Sequence, residues 1–270
     1  MPTVYIIIYS LYHHIYTVAL DVKKGLEAQG VTVPETLSDN ILEVLHAPPK
    51  PDIPVITIED LVNADAFMFG IPTRFGTFPA QLKSFLDASG ALWATGALAG
   101  KFAGTFFSTA SQHGGQETTA YTLITYFAHH GINYVPLGFA DSNLFDNSEV
   151  IGGSAWGAGT VANGDGSRQP SVKELTIART QGENFAKVLN TFHQGKKLIE
   201  SEKETLKVEP TKATTETAEP VKVAEPVEVT EPVKAAEPVK EVDHAEEPKP
   251  APRSTQPKLE EKKDSKCFCM

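Results

Sequence analysis

Val4-Tyr5-Ile6-Ile7-Ile8-Tyr9-Ser10-Leu11-Tyr12-His13-His14-Ile15 is the stretch that decides the fold. Residues 4–9 form an unbroken β-branched and aromatic run. A half-exposed strand would alternate polar and apolar residues, so this run marks a strand buried on both faces. It stops at Ser10. From 15 to 29 the apolar positions Ile15, Val18, Ala19, Val22 and Leu26 recur at helical spacing, which predicts a helix ended by Gly30.

Working outward, the strand-then-helix unit repeats. Residues 31–33 open a second strand, and the Pro-rich residues 47–54 read as loop. Ala66-Phe67-Met68-Phe69-Gly70 is a third strand, followed by a helix over 79–87 that carries Pro79 in its permitted first turn. A fourth strand spans 102–107, a helix 118–129 and a fifth strand 132–136. The last helix starts at Ser171, which forms a capping box with Glu174, and runs to about residue 190. Strands alternating with helices imply a parallel sheet covered on both faces, a doubly wound five-stranded α/β fold.

Composition divides the 270 residues unevenly. Residues 1–195 contain the apolar runs and read as one globular domain, long enough to bury a full core. Net charge is −10, and 1–195 hold 10 Lys and Arg against 17 Asp and Glu. An acidic domain without a basic stripe is a poor nucleic-acid ligand. No basic segment precedes the first apolar run, and no apolar stretch approaches membrane-spanning length, so the expected place is the cytosol or a membrane's cytosolic face. Both cysteines, Cys267 and Cys269, fall in the last four positions. The domain therefore has no disulfide framework, no Cys-ligated metal and no cysteine nucleophile.

In open α/β sheets ligands bind beyond the carboxyl ends of the strands. Three loops leave those ends: 10–14, 72–78 and 108–116. The first joins a buried strand to a helix N-terminus, where hydroxyls and unpaired amides suit a phosphate; an ordinary turn with an N-cap serine fits the same residues. The second offers Thr73, Arg74 and Phe75, either to an anionic or electron-rich ring or as a surface ion pair over a packed Phe. The third, Ser108-Thr109-Ala110-Ser111-Gln112-His113-Gly114-Gly115-Gln116-Glu117, suits a planar ring with polar edges or a plain glycine turn. Trp93 lines either the core or a stacking pocket. His129 and His130 are helix neighbours pointing about 100° apart, so they do not share a metal, and capping or core roles are the simpler reading.

Pro72-Thr73-Arg74-Phe75-Gly76, Gly90-Ala91-Leu92-Trp93, Gly114-Gly115-Gln116-Glu117, Ala128-His129-His130-Gly131 and Gly164-Asp165-Gly166-Ser167-Arg168-Gln169-Pro170-Ser171 follow one another in this order. Together with residues 10–15 they resemble the WrbA-type, flavodoxin-like NAD(P)H:quinone oxidoreductases, over residues 3 to about 190. The tailed fungal members are the most similar. The resemblance implies FMN as cofactor, with NAD(P)H and a quinone taking turns at one flavin and no protein nucleophile. It implies that Ser10, Leu11, Tyr12, His13, His14 and Ile15 wrap the FMN phosphate. Thr73, Arg74 and Phe75 would contact the ring and ribityl chain. Thr109, Ala110, Ser111, Gln112, His113 and Gly114 would line the ring's polar edge. His129 would reach the cofactor from elsewhere in a homotetramer, and Tyr12 and Trp93 would border the NAD(P)H and quinone pocket. Two departures stand out. His13 replaces a usual glycine, which is costly if the position needs positive φ, although an imidazole near phosphate adds favourable partial charge. Ala110, Ser111, Gln112 and His113 replace a Thr/Gly-rich run. These departures motivate a rival reading, an inactive membrane-tethered scaffold. An electron-carrier flavodoxin is disfavoured by Trp93 and the long 128–171 region.

Residues 196–266 read as a disordered linker. Four six-residue repeats begin at Ala218 with Ala-Glu-Pro-Val-Lys-Val. Their regular prolines forbid a helix and their charge opposes collapse. The terminal Cys267-Phe268-Cys269-Met270 fits a C-a-a-X signal whose Met favours farnesylation of Cys267. The expected location is thus the cytoplasmic face of the plasma membrane, with a cytosolic pool and a role against oxidative stress. One lipid binds only marginally, so a tetramer's four tethers would supply avidity.

Overall fold

A computed structural model describes residues 2–208; the sequence expectations for the tail beyond that point, including Cys267, lie outside the described residues. Strands β1 (Val4–Ile8), β2 (Gln29–Thr32), β3 (Ala66–Pro72) and β4 (Phe102–Thr109) lie parallel in the order β2-β1-β3-β4. Alternate β1 residues explain its unbroken apolar run. Val4, Ile6 and Ile8 pack into a core with Ile15, Val18, Ile177 and Phe185. Ile7 and Tyr9 enter the opposite core with Leu82, Phe85, Leu123 and Phe127. Helices α1 (His14–Gly25) and α7 (Val172–Val208) thus cover one face, and α4 (Ala80–Asp87) and α6 (Gln116–His130) the other. Short helices α2 (Asp39–Val44), α3 (Asp60–Asn63) and α5 (Gly90–Thr95) fill the connections. This is the doubly wound architecture the sequence predicts.

The fifth sheet position differs from expectation. It is built in two pieces. β5 (Asn133–Tyr134) pairs only with Phe102 and Ala103 at the start of β4. β7 (Gly157–Val161) takes the upper half, with Phe107 opposite Gly159 and Thr109 opposite Val161. β6 (Gly153–Ser154) adds an antiparallel edge to β7. Glycines admit β7 to this place: a Cβ on Gly157 would lie 1.8 Å from the Thr105 carbonyl oxygen.

Two helix ends also move. α1 stops at Gly25, and Gly30 lies inside β2. A Cβ on Gly25 would sit 2.3 Å from the Arg179 carbonyl oxygen, and one on Gly182 would sit 2.3 Å from that of Val22, so both glycines serve the close crossing of α1 and α7. α7 continues to Val208, past the expected end near 190 and past the boundary drawn at 195. Its start matches the expected capping box. The Ser171 amide donates to Glu174 Oε2 at 2.7 Å, and the Glu174 amide donates to Ser171 Oγ at 3.2 Å. Glu174 is fully buried, accepts from Arg168 Nη1 at 2.9 Å and from the Gly152 amide at 2.8 Å, and pins the 150–171 segment to the helix.

Candidate functional site

Parallel pairing sets the three loops side by side. Ile8 lies opposite Gly70, and Pro72 lies opposite Ser108, so the chain leaves β1, β3 and β4 at the same, carboxyl end of the sheet. The first loop delivers residues 10–13 to the start of α1. N-cap His13 makes no side-chain cap bond. Ser10 Oγ accepts from the Tyr16 amide at 3.2 Å, but among the described residues no acceptor takes the amides of His14 and Ile15. A 12-residue helix therefore presents bare first-turn donors and its positive dipole end beside a hydroxyl. That donor set fits a phosphate.

His13 adopts φ 66°, the left-handed conformation in which a Cβ is costly, by roughly 1–2 kcal/mol. Its ring is held outward by a 2.9 Å hydrogen bond between Nε2 and the Pro49 carbonyl. The other side chains of this loop point elsewhere. Tyr12 donates its hydroxyl to the Leu45 carbonyl at 3.0 Å, and Ile15 is core. His14 is buried, with Nε2 3.1 Å from the Arg168 carbonyl; a carbonyl only accepts, so this nitrogen carries the proton. Burial lowers the His14 pKa despite those backbone partners. His14 and Ile15 thus offer a ligand their amides, not their side chains.

The second loop is a two-residue reverse turn. The amide of Arg74 donates to the Thr77 carbonyl at 2.7 Å and that of Thr77 returns to Arg74 at 3.1 Å. Phe75 and Gly76 both have positive φ, 55° and 77°, the type I′ pattern for which Asn-Gly is preferred. Phe75 is also 90% exposed. A strained aromatic with no burial to offset its strain points to a ligand-facing role. Thr73 Oγ1 lies 2.9 Å from Thr119 Oγ1 and accepts from the Gly76 amide at 3.2 Å, which fixes the turn on α6. The Arg74 guanidinium folds back, Nη1 donating to the Thr73 carbonyl at 2.7 Å.

The third loop is closed by Thr109, whose Oγ1 donates to the Ser111 carbonyl at 2.7 Å. Ala110, Ser111, Gln112 and His113 are exposed around it, and Gly114 turns the chain into α6. Gly115 has φ 91°, and a Cβ there would lie 3.0 Å from Gly76 Cα. The second and third loops therefore approach at a distance only glycine permits. Gln116 is a positioning residue that the sequence reading did not single out. Buried, it donates to Thr109 Oγ1 and to the Thr160 carbonyl, both at 3.1 Å, and accepts from the Gly153 amide at 2.7 Å. A glutamine directly after a glycine pair at a helix start was the available signal.

Two expected site residues lie away from these loops. α6 starts at the loop edge and His129 stands exposed near its far end, about 20 Å along the helix axis. Trp93, 58% exposed on α5, lies near that same end, since neighbouring Ser89 contacts His130 at 3.2 Å. One chain does not bring either residue to the loops. No metal-binding group of His, Cys, Asp or Glu occurs among the described residues.

Residues 13–145 match the family described as NADPH-dependent FMN reductase. The chain is 54% identical over 198 residues to the NAD(P)H quinone oxidoreductase PST2 of Candida albicans, covering 72% of this chain and 98% of that protein. It is 51% identical over 198 residues to the quinone-oxidoreductase QR2 of Triphysaria versicolor, covering 71% and 97%. Among solved structures it resembles the flavodoxin, WrbA-like protein from Agrobacterium tumefaciens, with TM-score 0.50 and 25% identity over 71% of this chain and 99% of that one.

Proposed function

The chain belongs to the family of flavodoxin-like NAD(P)H:quinone oxidoreductases, and from that premise we propose that it reduces quinones by two electrons at a membrane's cytosolic face, as an antioxidant enzyme. Bound FMN supplies the redox chemistry between NAD(P)H and the quinone. The chain's own part is to bind, orient and enclose. The bare amides of His14 and Ile15, with Ser10, would hold the phosphate. Thr73 and the Thr109 turn would meet the ring's polar rim. Phe75, exposed in its turn, would contact the flavin ring. The observation that carries the reading is the exposed, strained Phe75 set against glycine-closed loops beside an uncapped helix start.

The scaffold reading rested on His13 and the altered third loop. The Pro49 bond that accommodates His13, and the closure of the third loop by Thr109 and Gln116, support the catalytic reading instead. The exposure of Trp93 and His129 at the far end of the sheet supports a homotetramer in which each chain lends them to a neighbour's site. Farnesylation of Cys267 would tether the assembly. The test is direct: NADH or NADPH should bleach the yellow full-length protein, and benzoquinone should restore the colour at one quinone per flavin. A colourless protein indifferent to added FMN would instead support the scaffold.

A further inference from the structure

A cavity of about 210 Å³ opens on the other side of the first loop, between the ends of β1 and β2 and the Pro-rich 47–53 segment. Its walls are mostly apolar, including Val33, Leu42, Pro48 and Pro51, and Ser10 and Leu11 of the first loop line it as well. One carboxylate lines it. Glu35, its side chain only 11% exposed, is firmly held by one oxygen: Oε1 accepts from the amides of Thr36 at 2.9 Å and Leu37 at 3.0 Å and from Gln81 Nε2 at 3.1 Å. Among the described residues Oε2 has only long contacts, Tyr9 Oη at 3.3 Å and Lys50 Nζ at 3.4 Å. Charge-assisted bonds normally close to about 2.7–2.9 Å, so this oxygen retains accepting capacity. Burial alone would raise the Glu35 pKa, but the amides of Leu37 and Thr36, Gln81 and Lys50 outweigh it and hold the carboxyl below its usual range. Glu35 is therefore an anchored anion beside an apolar slot, with a half-exposed lysine at the rim.

A ligand for this place combines a flat apolar ring with hydroxyl donors. Adenosine has both, and one reactant of the proposed reaction carries it. We propose that the cavity seats the adenosine half of the nicotinamide dinucleotide and that Glu35 and Lys50 read the ribose 2′ position. This assignment rests on the quinone-reductase reading. A 2′-hydroxyl can donate to Glu35 Oε2. A 2′-phosphate meets a carboxylate that three bonds prevent from withdrawing, and Lys50 compensates for it only in part. The site therefore favours NADH over NADPH. A carboxylate past the second strand serves the ribose in the same sense in other doubly wound folds.

The test is calorimetric titration of the full-length flavoprotein with ADP-ribose and with 2′-phospho-ADP-ribose, probes that lack the nicotinamide. ADP-ribose should bind more tightly by about tenfold or more, the difference made by one hydrogen bond to a charged group. Glu35→Gln should erase most of that preference and Lys50→Ala should widen it. Ala47→Trp, which fills the slot from its Pro-rich wall, should weaken both probes by about tenfold and raise KM for NADH, while oxidation of dithionite-reduced flavin by benzoquinone stays unchanged. Binding of ADP-ribose indifferent to both Ala47→Trp and Glu35→Gln, or an absence of binding where NADH still reduces the flavin, would overturn the adenosine seat alone. Failure of NADH to reduce the flavin would overturn the reductase reading. Probe binding still lost in Ala47→Trp would then leave the cavity as a seat for free adenine nucleotides.

Discussion

Of the residues in left-handed backbone at the loop cluster, three state what the site requires. Phe75 occupies a type I′ position suited to asparagine. Phe75→Asn should raise stability by about 0.5–1 kcal/mol in urea titration while weakening quinone turnover, the trade expected of a strained functional residue. A loss of stability with turnover intact would contradict a ligand-facing role. Gly115 permits the contact of two loops, so Gly115→Ala should cost about 1–3 kcal/mol and weaken FMN binding, measured by flavin titration. His13 combines strain with a bond to Pro49. His13→Ala loses the bond and keeps the strain, whereas His13→Gly loses both. The glycine variant should therefore unfold at higher urea than the alanine variant, by about 1 kcal/mol.

Elements hold these residues in place, and the buried joints between elements govern stability. Removing the Glu174 carboxylate strands the Arg168 cation and the amides of Gly152, Val161 and Ser171. Glu174→Ala should cost about 3–5 kcal/mol, read from denaturant unfolding. The histidines add a pH dependence. His14 and His130 both have folded pKa values lowered from 6.5, chiefly by burial. The unfolded chain then binds protons that the folded chain refuses, so stability is full above about 6.5 and declines as pH falls through that value towards the folded pKa values. Unfolding free energies between pH 7.5 and 5.5 should show this slope, and His130→Gln should reduce it. The strands and helices that bury their own apolar runs, β1, β3, β4 and α6, were legible in the sequence. β7 was not. Gly157-Ala158-Gly159-Thr160-Val161 has β-branched residues only at its last two positions, and its strand state is imposed by the close fit to Thr105 and Gln116. The end of α1 was misjudged for a similar reason, because the packing use of Gly25 against α7 is a tertiary fact. The three loops were legible as a cluster. That the side chains of His14 and Ile15 turn away and leave only amides was not, since backbone direction at a helix start has no residue code.

At the scale of the whole molecule, we propose a flavin site joined to a lipid tether. Cys267→Ser should move the protein from the membrane to the soluble fraction. A variant that breaks the proposed tetramer should weaken membrane binding too, because single lipids hold only marginally. All of this depends on whether the loops after β1, β3 and β4 grip FMN. The decisive measurement is titration of free FMN with flavin-stripped protein at micromolar concentration, following flavin fluorescence. Saturable quenching, shifted to higher protein concentration by Gly115→Ala, is the predicted result. Fluorescence that stays unquenched would contradict the site and, with it, the catalytic assignment.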